Sequence, residues 1–509
     1  MSEVQEELSY LFDAPALAHV RGAAAMLETL ARFMLPSLAR SREFGGAGII
    51  MGGRHYVATF SGAEVAQRFA EEGRRAYRQR SAGLALRYAH ADVQTDDLVT
   101  NFGSRLGQVR QRLEREPTGA PAAAAAYRPE LRWCDACHRY PAVRVSAGDV
   151  LCRACVNRRL HDADQDSRLH VPGYQSGLAD AGDEDMQGRP VRERLLRWLR
   201  DSGVLRTADA AGDIADLAHR RSPDERVLAD TDGNRAVMWA EINDFQWLLE
   251  QSHDSQRALR TSARVNRLLD EAFFEAVTSV VWRDRDLPFN FDILLSGGSR
   301  VVCLLPADIA IPVTTRALRT FESQSSAATD GRRLGISAGV GLAPATLSWS
   351  ATAFQAQLAM AAARRADRAA TPLSQRGSWR SVVALASPAD DLPAPAGIGE
   401  LERATAHART LRRAGLAAEH LQPAVPALRG GLQGPLALLT SGWTDPQRRA
   451  LVAVARDLSL GSAEAASADA VQLWPVVVSL LPWTSANAVA PPPLRSRPAP
   501  EPTAAERSA

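Results

Sequence analysis

Two stretches of the chain repeat one alternation of apolar strands with helices whose apolar residues return every three to four positions. Over residues 8 to 115 the pattern predicts a strand at Leu8 to Ala14 and a helix at about Arg21 to Leu35. A hairpin follows, Ile49-Ile50-Met51-Gly52-Gly53-Arg54-His55-Tyr56-Val57, then a helix at Gly62 to Tyr77, a strand at Leu84 to His90 and a helix at about Asp97 to Leu113. Over residues 236 to 366 the same order returns. It gives a strand at Ala236 to Ile242, a helix at about Ser255 to Val277 and a hairpin at Ile293-Leu294-Leu295-Ser296-Gly297-Gly298-Ser299-Arg300-Val301-Val302. A helix at about Pro306 to Phe321, a strand at Leu334 to Leu342 and a helix at about Ala353 to Arg365 complete it. The strands rest on β-branched runs and the helices on spacings such as Phe354, Leu358 and Ala361. The order β-α-β-β-α-β is the ferredoxin-like plan. The expected fold class is therefore α+β, with two pseudo-symmetric copies.

The 509 residues exceed what one core can organise, and the composition shifts divide them. Residues 1–128 form the first unit, 129–162 a cysteine module, 163–230 a helical connector and 231–390 the second unit. Residues 391–485 read as a C-terminal helical region. Residues 486–509 are proline-rich, lack apolar periodicity and are expected to be disordered. The most apolar run, Leu473 to Trp483, is broken by Pro475 and Pro482 and reads as core rather than as a membrane span. With no signal-like N-terminus, a cytoplasmic protein is expected. A net charge of +2 argues against wholesale attraction to nucleic acid. All 60 basic residues are arginine, which excludes lysine Schiff bases and a Walker A lysine.

Four of the five cysteines form Cys134-x2-Cys137 and Cys152-x2-Cys155, with 14 residues between the pairs. This spacing suits two knuckles that close a tetrahedral thiolate site for zinc, a structural site with no open position for water. Cys303 reads as a buried strand residue. Metal-dependent nucleotidyl transfer needs carboxylates on the first strand and on the hairpin of such a unit. In the second unit the first-strand acid is Glu241, with Asp244 one turn later, but the hairpin offers only Ser299 and Arg300. Magnesium is thereby disfavoured. Arg300 reads either as a bidentate phosphate ligand or as a solvated turn residue. In the first unit Asp13 is placed opposite Glu241, as a strand-ending cap or a ligand, and Arg54-His55 opposite Ser299-Arg300. His161-Asp162 and His253-Asp254 lack the further ligands of a phosphohydrolase site. The arginines at 110, 112 and 115, and at 364 and 365, read as solvated helix faces or phosphate-binding stripes.

These residues together resemble the large subunit of type III CRISPR effector complexes, the palm-type (GGDEF- and polymerase-like) cyclic-oligoadenylate synthase of the Csm and Cmr systems. The resemblance rests on the Cys134 to Cys155 ribbon between two palms, on Ala240-Glu241-Ile242-Asn243-Asp244 and on Ser262. It also rests on Leu287-Pro288-Phe289, Gly297-Gly298, Pro306-Ala307 and Ser337-Ala338-Gly339-Val340. It covers residues 8 to 485. It implies nucleotide contacts, ATP among them, at Ser262, Ser296, Gly297, Gly298 and Arg300, with Gly52 and Gly53 in the first palm. It also implies partners among other effector subunits and guide RNA. Three departures stand against activity: Gly297-Gly298-Ser299-Arg300 in place of Gly-Gly-Asp-Asp, Glu241 in place of aspartate, and no histidine-aspartate nuclease domain ahead of Tyr10. The expectation is a degenerate scaffold or nucleotide-sensing subunit of antiviral defence. Two alternatives stay open: a slow cyclase in which Glu241 and Asp244 hold one metal, and a zinc-ribbon RNA-binding module.

Overall fold

The computed structural model describes residues 1–5, 7–50, 55–82, 84–116, 131–146, 148–164, 191, 194–195, 198, 228–230, 232–281, 291–370, 380–387, 395–417, 421, 444–457, 476–477 and 480–481. The turn residues Gly52, Gly53 and Arg54, the segment Leu287-Pro288-Phe289, most of the connector and the proline-rich tail lie outside them.

The first unit consists of β1 (Ser2–Gln5), α1 (Glu7–Leu11), α2 (Leu17–Glu28, continued by a π-helical stretch Thr29–Met34), α3 (Leu35–Arg40), β2 (Ala47–Ile50) and β3 (His55–Thr59). α4 (Ala63–Ser81), β4 (Ala85–Tyr88), α5 (Thr95–Thr100) and α6 (Phe102–Arg115) follow. Its sheet runs β2-β3-β1-β4. The cysteine module adds β5 (Arg144–Ser146), β6 (Asp149–Leu151) and α7 (Arg153–Asp164).

The second unit consists of β7 (Asn234–Ile242), α8 (Phe245–Glu250), α9 (Ser255–Val281), β8 (Asp292–Gly297), β9 (Arg300–Pro306), α10 (Ala307–Ala328), β10 (Ile336–Pro344) and α11 (Trp349–Ala370). β11 (Val382–Ala386) and β12 (Ala396–Gly397) close it, and α12 (Ile398–Arg413) and α13 (Asp445–Asp457) lie beyond. Its sheet runs β12-β11-β10-β7-β9-β8, so β8-β9-β7-β10 repeats the order β2-β3-β1-β4 of the first sheet. That shared order is the ferredoxin-like one, and the chain is mixed α+β.

Two expectations are corrected. The first strand is Ser2–Gln5, and the segment read as a strand at 8 to 14 is instead helix α1 with a turn after it. Tyr10 and Leu11 are apolar neighbours that satisfy a strand run, yet both are buried from a helix. The second sheet also carries β11, parallel to β10, and β12. Val382–Ala386 is an alanine-rich strand against α11, and nothing in its short run distinguishes it from helix.

Both faces of the second sheet are covered, which explains its near-continuous apolar strands. Along β7, Met238, Ala240 and Ile242 enter the core shared with α9 and α10, whereas Val237 and Trp239 join Leu11, Val20 and Leu27 of the first unit. The two units thus meet across the back of the second sheet. Val476, Val477, Leu480 and Leu481 are buried in the first of these cores, as expected of the apolar run. Among the described residues no helix is long and apolar enough to cross a membrane.

The helix α11 lies almost on the backbone of β10 because Gly339 and Gly341 leave room for the backbone of Thr352, Ala356 and Ala359. A Cβ on Gly339 would fall 2.0 Å from the Ala356 carbonyl oxygen. Backbone cannot rotate away from such a clash, so Gly339→Ala is expected to lose about 3 kcal/mol, at the upper end of overpacking costs. Urea unfolding of the variant beside the parent measures this.

Candidate functional site

The hairpin between β8 and β9 turns through Gly298 and Ser299, both at positive φ (58° and 81°), the signature of a type I′ connection. Three side chains of α9 and the connector pin it. Asn266 Oδ1 accepts the Gly298 N–H at 2.8 Å, Ser296 Oγ donates to Asp270 Oδ1 at 2.5 Å, and Arg194 Nη2 donates to the Ser296 carbonyl at 2.8 Å. Arg194 also pairs with Asp270, and Arg32 of the first unit donates to the same Ser296 carbonyl. Asn266 further reaches Ser262 Oγ at 3.5 Å. Ser262, Ser296 and Gly297 are thus buried and engaged within the chain. Gly298 is half-buried at the turn.

Arg300 is neither the solvated turn residue nor the free phosphate fork that the sequence allowed. Its side chain is 12% exposed; Nη1 donates to Glu7 Oε2 at 2.8 Å and Nε lies 3.6 Å from Glu241 Oε2. Burial alone would weaken its hold on the proton, but Glu241, Glu7 and the more distant Glu3 outweigh that and raise its pKa. The guanidinium therefore links one carboxylate from each unit. The other oxygen of Glu241 accepts from Arg364 Nη1 at 3.2 Å, and Asp244, in left-handed backbone geometry, accepts from Arg368 at 3.2 Å. Arg364 therefore belongs to the site rather than to a solvated face. Both acids that could have held one magnesium ion are paired with arginine.

Strand register identifies the true counterpart of Glu241. Glu241 lies opposite Arg300 on β9 and Ser337 on β10, while Glu3 lies opposite His55 on β3 and Arg87 on β4. Counted from the Gly-Gly pairs, His55 stands where Arg300 stands, so Glu3 and not Asp13 is the equivalent acid. Glu3 pairs with Arg87, and His55 Nε2 lies 3.4 Å from it. Gln246 of the second unit approaches His55 Nδ1 at 3.0 Å. Asp13 instead receives Arg139 at 2.5 Å and Arg158 at 3.5 Å, both from the cysteine module, and Arg158 also covers the Tyr10 ring at 4.3 Å. It fastens that module to the first unit.

A second buried group of charges lies behind the hairpin. Glu28 accepts the Val191 N–H and pairs with Arg32 and Arg194; burial pushes its pKa up and lowers that of Arg32 to about 10. Between these groups, bounded by Glu7, Glu28, Arg32, Gly297 and Arg300, the remaining cavity is about 20 Å³. That volume suits roughly one water molecule.

The four cysteines fit a metal. All are buried and their Sγ atoms lie within 4.8 Å of one another, with Cys137 and Cys152 3.8 Å apart. Tetrahedral zinc with bonds near 2.3 Å requires sulfur separations of roughly 3.8 Å. The Cys152 and Cys155 thiols hydrogen-bond to Cys137 Sγ and lower its pKa, as expected where a thiolate is stabilised. The four could hold a metal such as zinc. Among the described residues no other group of three or more such donors is close enough to do so. Cys303 is buried in β9, as expected.

Sequence reading did not find Glu3, Glu7, Arg32, Arg194, Asp270 or Asp367, and it gave Arg364 only as a solvated face or a phosphate-binding stripe. Asp367 of α11 is 2% exposed, and neither carboxylate oxygen has a hydrogen-bond partner among the described residues. Burial, with the nearby Asp244 charge adding to it, pushes its pKa up to about 6. An acid whose folded pKa lies above its unfolded value near 3.9 costs stability as pH rises through that interval. Asp367→Asn is therefore expected to stabilise the protein above pH 6, by up to about 3 kcal/mol, with the difference vanishing towards pH 4. Urea midpoints of both proteins across that range check the sign.

No protein-family model matches the chain, and no curated protein matches it. Solved structures do. A Csm1-Csm4 cassette in complex with pppApApA is 13% identical with a TM-score of 0.52, over 95% of this chain and 68% of that one. The apo Csm1-Csm4 cassette is 12% identical (TM-score 0.44; 76% and 54% covered), and Csm1 in T.onnurineus is 13% identical (0.43; 74% and 54%). The chain spans about half the length of the apo-cassette chain it matches. In fold, the chain is similar to Csm1 of the cassette in complex with pppApApA.

Proposed function

We propose that the chain is a catalytically degenerate large subunit of a type III CRISPR effector. In this reading two palm domains (1–128 and 231–390) close on each other, the zinc ribbon at 129–162 is held against the first palm, and the protein serves antiviral defence as a cytoplasmic scaffold. The observation that carries the proposal is Arg300, seated between Glu7 and Glu241. Two-metal nucleotidyl transfer needs divalent ions between first-strand and hairpin carboxylates, to acidify the attacking hydroxyl and clamp the phosphate. Here a guanidinium supplied by the hairpin itself balances the remaining acids, and a cation already held by two carboxylates is a poor ligand for a phosphate.

Similar Csm1-Csm4 cassettes have been solved in complex with AMPPNP, pppApA, cA4 and ATP. By analogy, a Csm4-like subunit and guide RNA are the partners proposed here. Nucleotide binding through Ser262, Ser296, Gly297, Gly298 and Arg300 is the less favoured reading, because the Ser296 and Arg300 side chains and the Gly298 N–H are engaged in internal bonds and the cavity that Ser296, Gly297 and Arg300 line is about 20 Å³. Where Cys134, Cys137, Cys152 and Cys155 hold zinc, the ion's role is structural: four thiolates leave no position for water.

Incubation of the purified protein with ATP and either magnesium or manganese, followed by chromatography, is expected to yield no linear or cyclic oligonucleotide. Metal-dependent product that disappears in Glu241→Ala would establish the cyclase reading instead. Removing zinc with a chelator is expected to expose about four reactive thiols and to lower the melting temperature, while Cys303 stays unreactive until unfolding. Loss of zinc with no change in melting would show the ribbon to be independent of the first palm.

A further inference from the structure

The first turns of helix α9 carry a stripe of arginine and no acid. Arg257, Arg260, Arg264 and Arg267 are all exposed; at 3.6 residues per turn they lie within about 80° of one another around the helix and along roughly 15 Å of its length. From Ser255 to Leu269 the helix contains neither aspartate nor glutamate. Other arginine-rich helices supply their own counter-charge: on α4 Arg75 pairs with Glu72, and on α6 Arg110 pairs with Glu114. Like charges three and four residues apart destabilise a helix, and a cation in the first turn is opposed by the positive end of the helix dipole. The start of α9 breaks both rules, in a chain whose net charge is only +2. Local conflict of this kind is expected where function requires it, and a bound anion would resolve it.

The surroundings do little to neutralise the stripe. Asp330, in the turn after α10, accepts from Arg257 at 2.9 Å and lies 3.8 Å from Arg264. Those two arginine side chains stay 54% and 59% exposed, so Asp330 orients them without taking them out of solvent. Asp254 is engaged by the backbone, since its Oδ1 accepts the Arg257 N–H at 2.6 Å. Arg260 has no ion-pair partner among the described residues. Two positions beyond Asp330, the exposed Arg332 lies 5.5 Å from the centre of the Trp247 ring and adds a cation backed by an aromatic surface.

We propose that this face binds the phosphate backbone of a single-stranded nucleic acid running along α9, with a base stacked on the Arg332 guanidinium. Cations set in line along a helix select a linear polyanion over a single phosphate, arginine forks take phosphate oxygens in pairs, and the helix N-terminus adds its own attraction for the first of them. A guanidinium plane and an aromatic ring together offer the sequence-tolerant stacking that unpaired bases use. Ser262 and Asn266 lie on the opposite face of α9, so the site is separate from the centre around Arg300. It rests on the charges of α9 and not on the partners drawn by analogy above.

Fluorescence anisotropy of a labelled oligouridylate of about fifteen nucleotides, titrated with the full chain at low salt, tests the assignment. Saturable binding is expected, with a slope of log affinity against log salt of about −2, as for three phosphate contacts on a single strand. Replacing Arg257, Arg260 and Arg264 together by glutamine is expected to weaken binding at least about tenfold and to flatten that slope. The melting temperature should not fall, because like charges leave the helix, so misfolding cannot mimic the loss. Asp330→Asn removes the competing carboxylate and is expected to tighten binding about threefold, a change of opposite sign from the one a merely structural role would give. A thymidylate strand of equal length decides the source: equal affinity makes phosphate the recognised group of either nucleic acid, and preference for uridylate makes the ligand RNA. Absence of saturable binding overturns the proposal, as does binding unchanged in the triple variant, which would place the contact elsewhere on the chain. A polyglutamate peptide that competes as strongly as unlabelled oligonucleotide would assign the face to an acidic protein surface and overturn it as well.

Discussion

A buried guanidinium cannot be left without counter-charge, and the structure around Arg300 is organised by that requirement. Taking one charge out of water costs several kcal/mol, which is recovered only where carboxylates of good geometry meet it. Arg300 finds Glu7 on the first unit and Glu241 on its own sheet, and Arg364 then balances the second oxygen of Glu241. Arg21–Asp292 at 2.5 Å, and the group of Glu28, Arg32, Arg194 and Asp270, repeat the device behind the hairpin. Every one of these sets except the Glu241–Arg364 link joins the first unit or the connector to the second. The interface between the repeats is therefore fixed by charge as well as by the apolar faces of Val237, Trp239 and Leu304. Apolar surfaces can slide; ion pairs of this kind fix one register.

What could be read in the sequence was whatever is local. Cysteine spacing within 22 residues defines a metal site before any fold is known, and the four Sγ atoms do converge. The long β-branched strands β7 and β9 declare themselves because both faces are buried and nearly every position is apolar. The shared strand order follows from the alternation of these runs with helices. The first sheet was less legible: β1 is four residues, shorter than any periodic window, and the more apolar stretch at Tyr10 and Leu11 took its place. That single displacement also misassigned the acid, because Asp13 then stood where Glu3 belongs.

The charged partners were illegible for a different reason. Arg21 meets Asp292 across 271 positions, and Arg300 meets Glu7 across 293. In a chain with 60 arginines and 58 acids, nothing local marks which will be buried. Arg364 illustrates the difficulty: on its helix it looks like any solvated basic residue, and only the packing of α11 on β10 brings it to Glu241. The hairpin does carry one usable clue, that it offers a cation, Arg300, and no acid. The clue gives the sign of the local charge but not whether it turns outward to a ligand or inward to the protein.

The inward choice has a consequence for any ligand that approaches the cleft. To expose Arg300 to a triphosphate, the protein must first separate it from Glu7, and the separated carboxylate then either stays buried without a partner or draws water into the interface. Breaking a buried pair typically costs about 3–5 kcal/mol. A ligand that binds only the opened state has its affinity lowered by the fraction open, here about 10² to 10⁴-fold. A centre whose metal ligands had merely been neutralised would still admit nucleotide into an empty pocket. A centre closed by its own cation must be opened against that cost, and the same ion pairs hold the two repeats in one relative orientation.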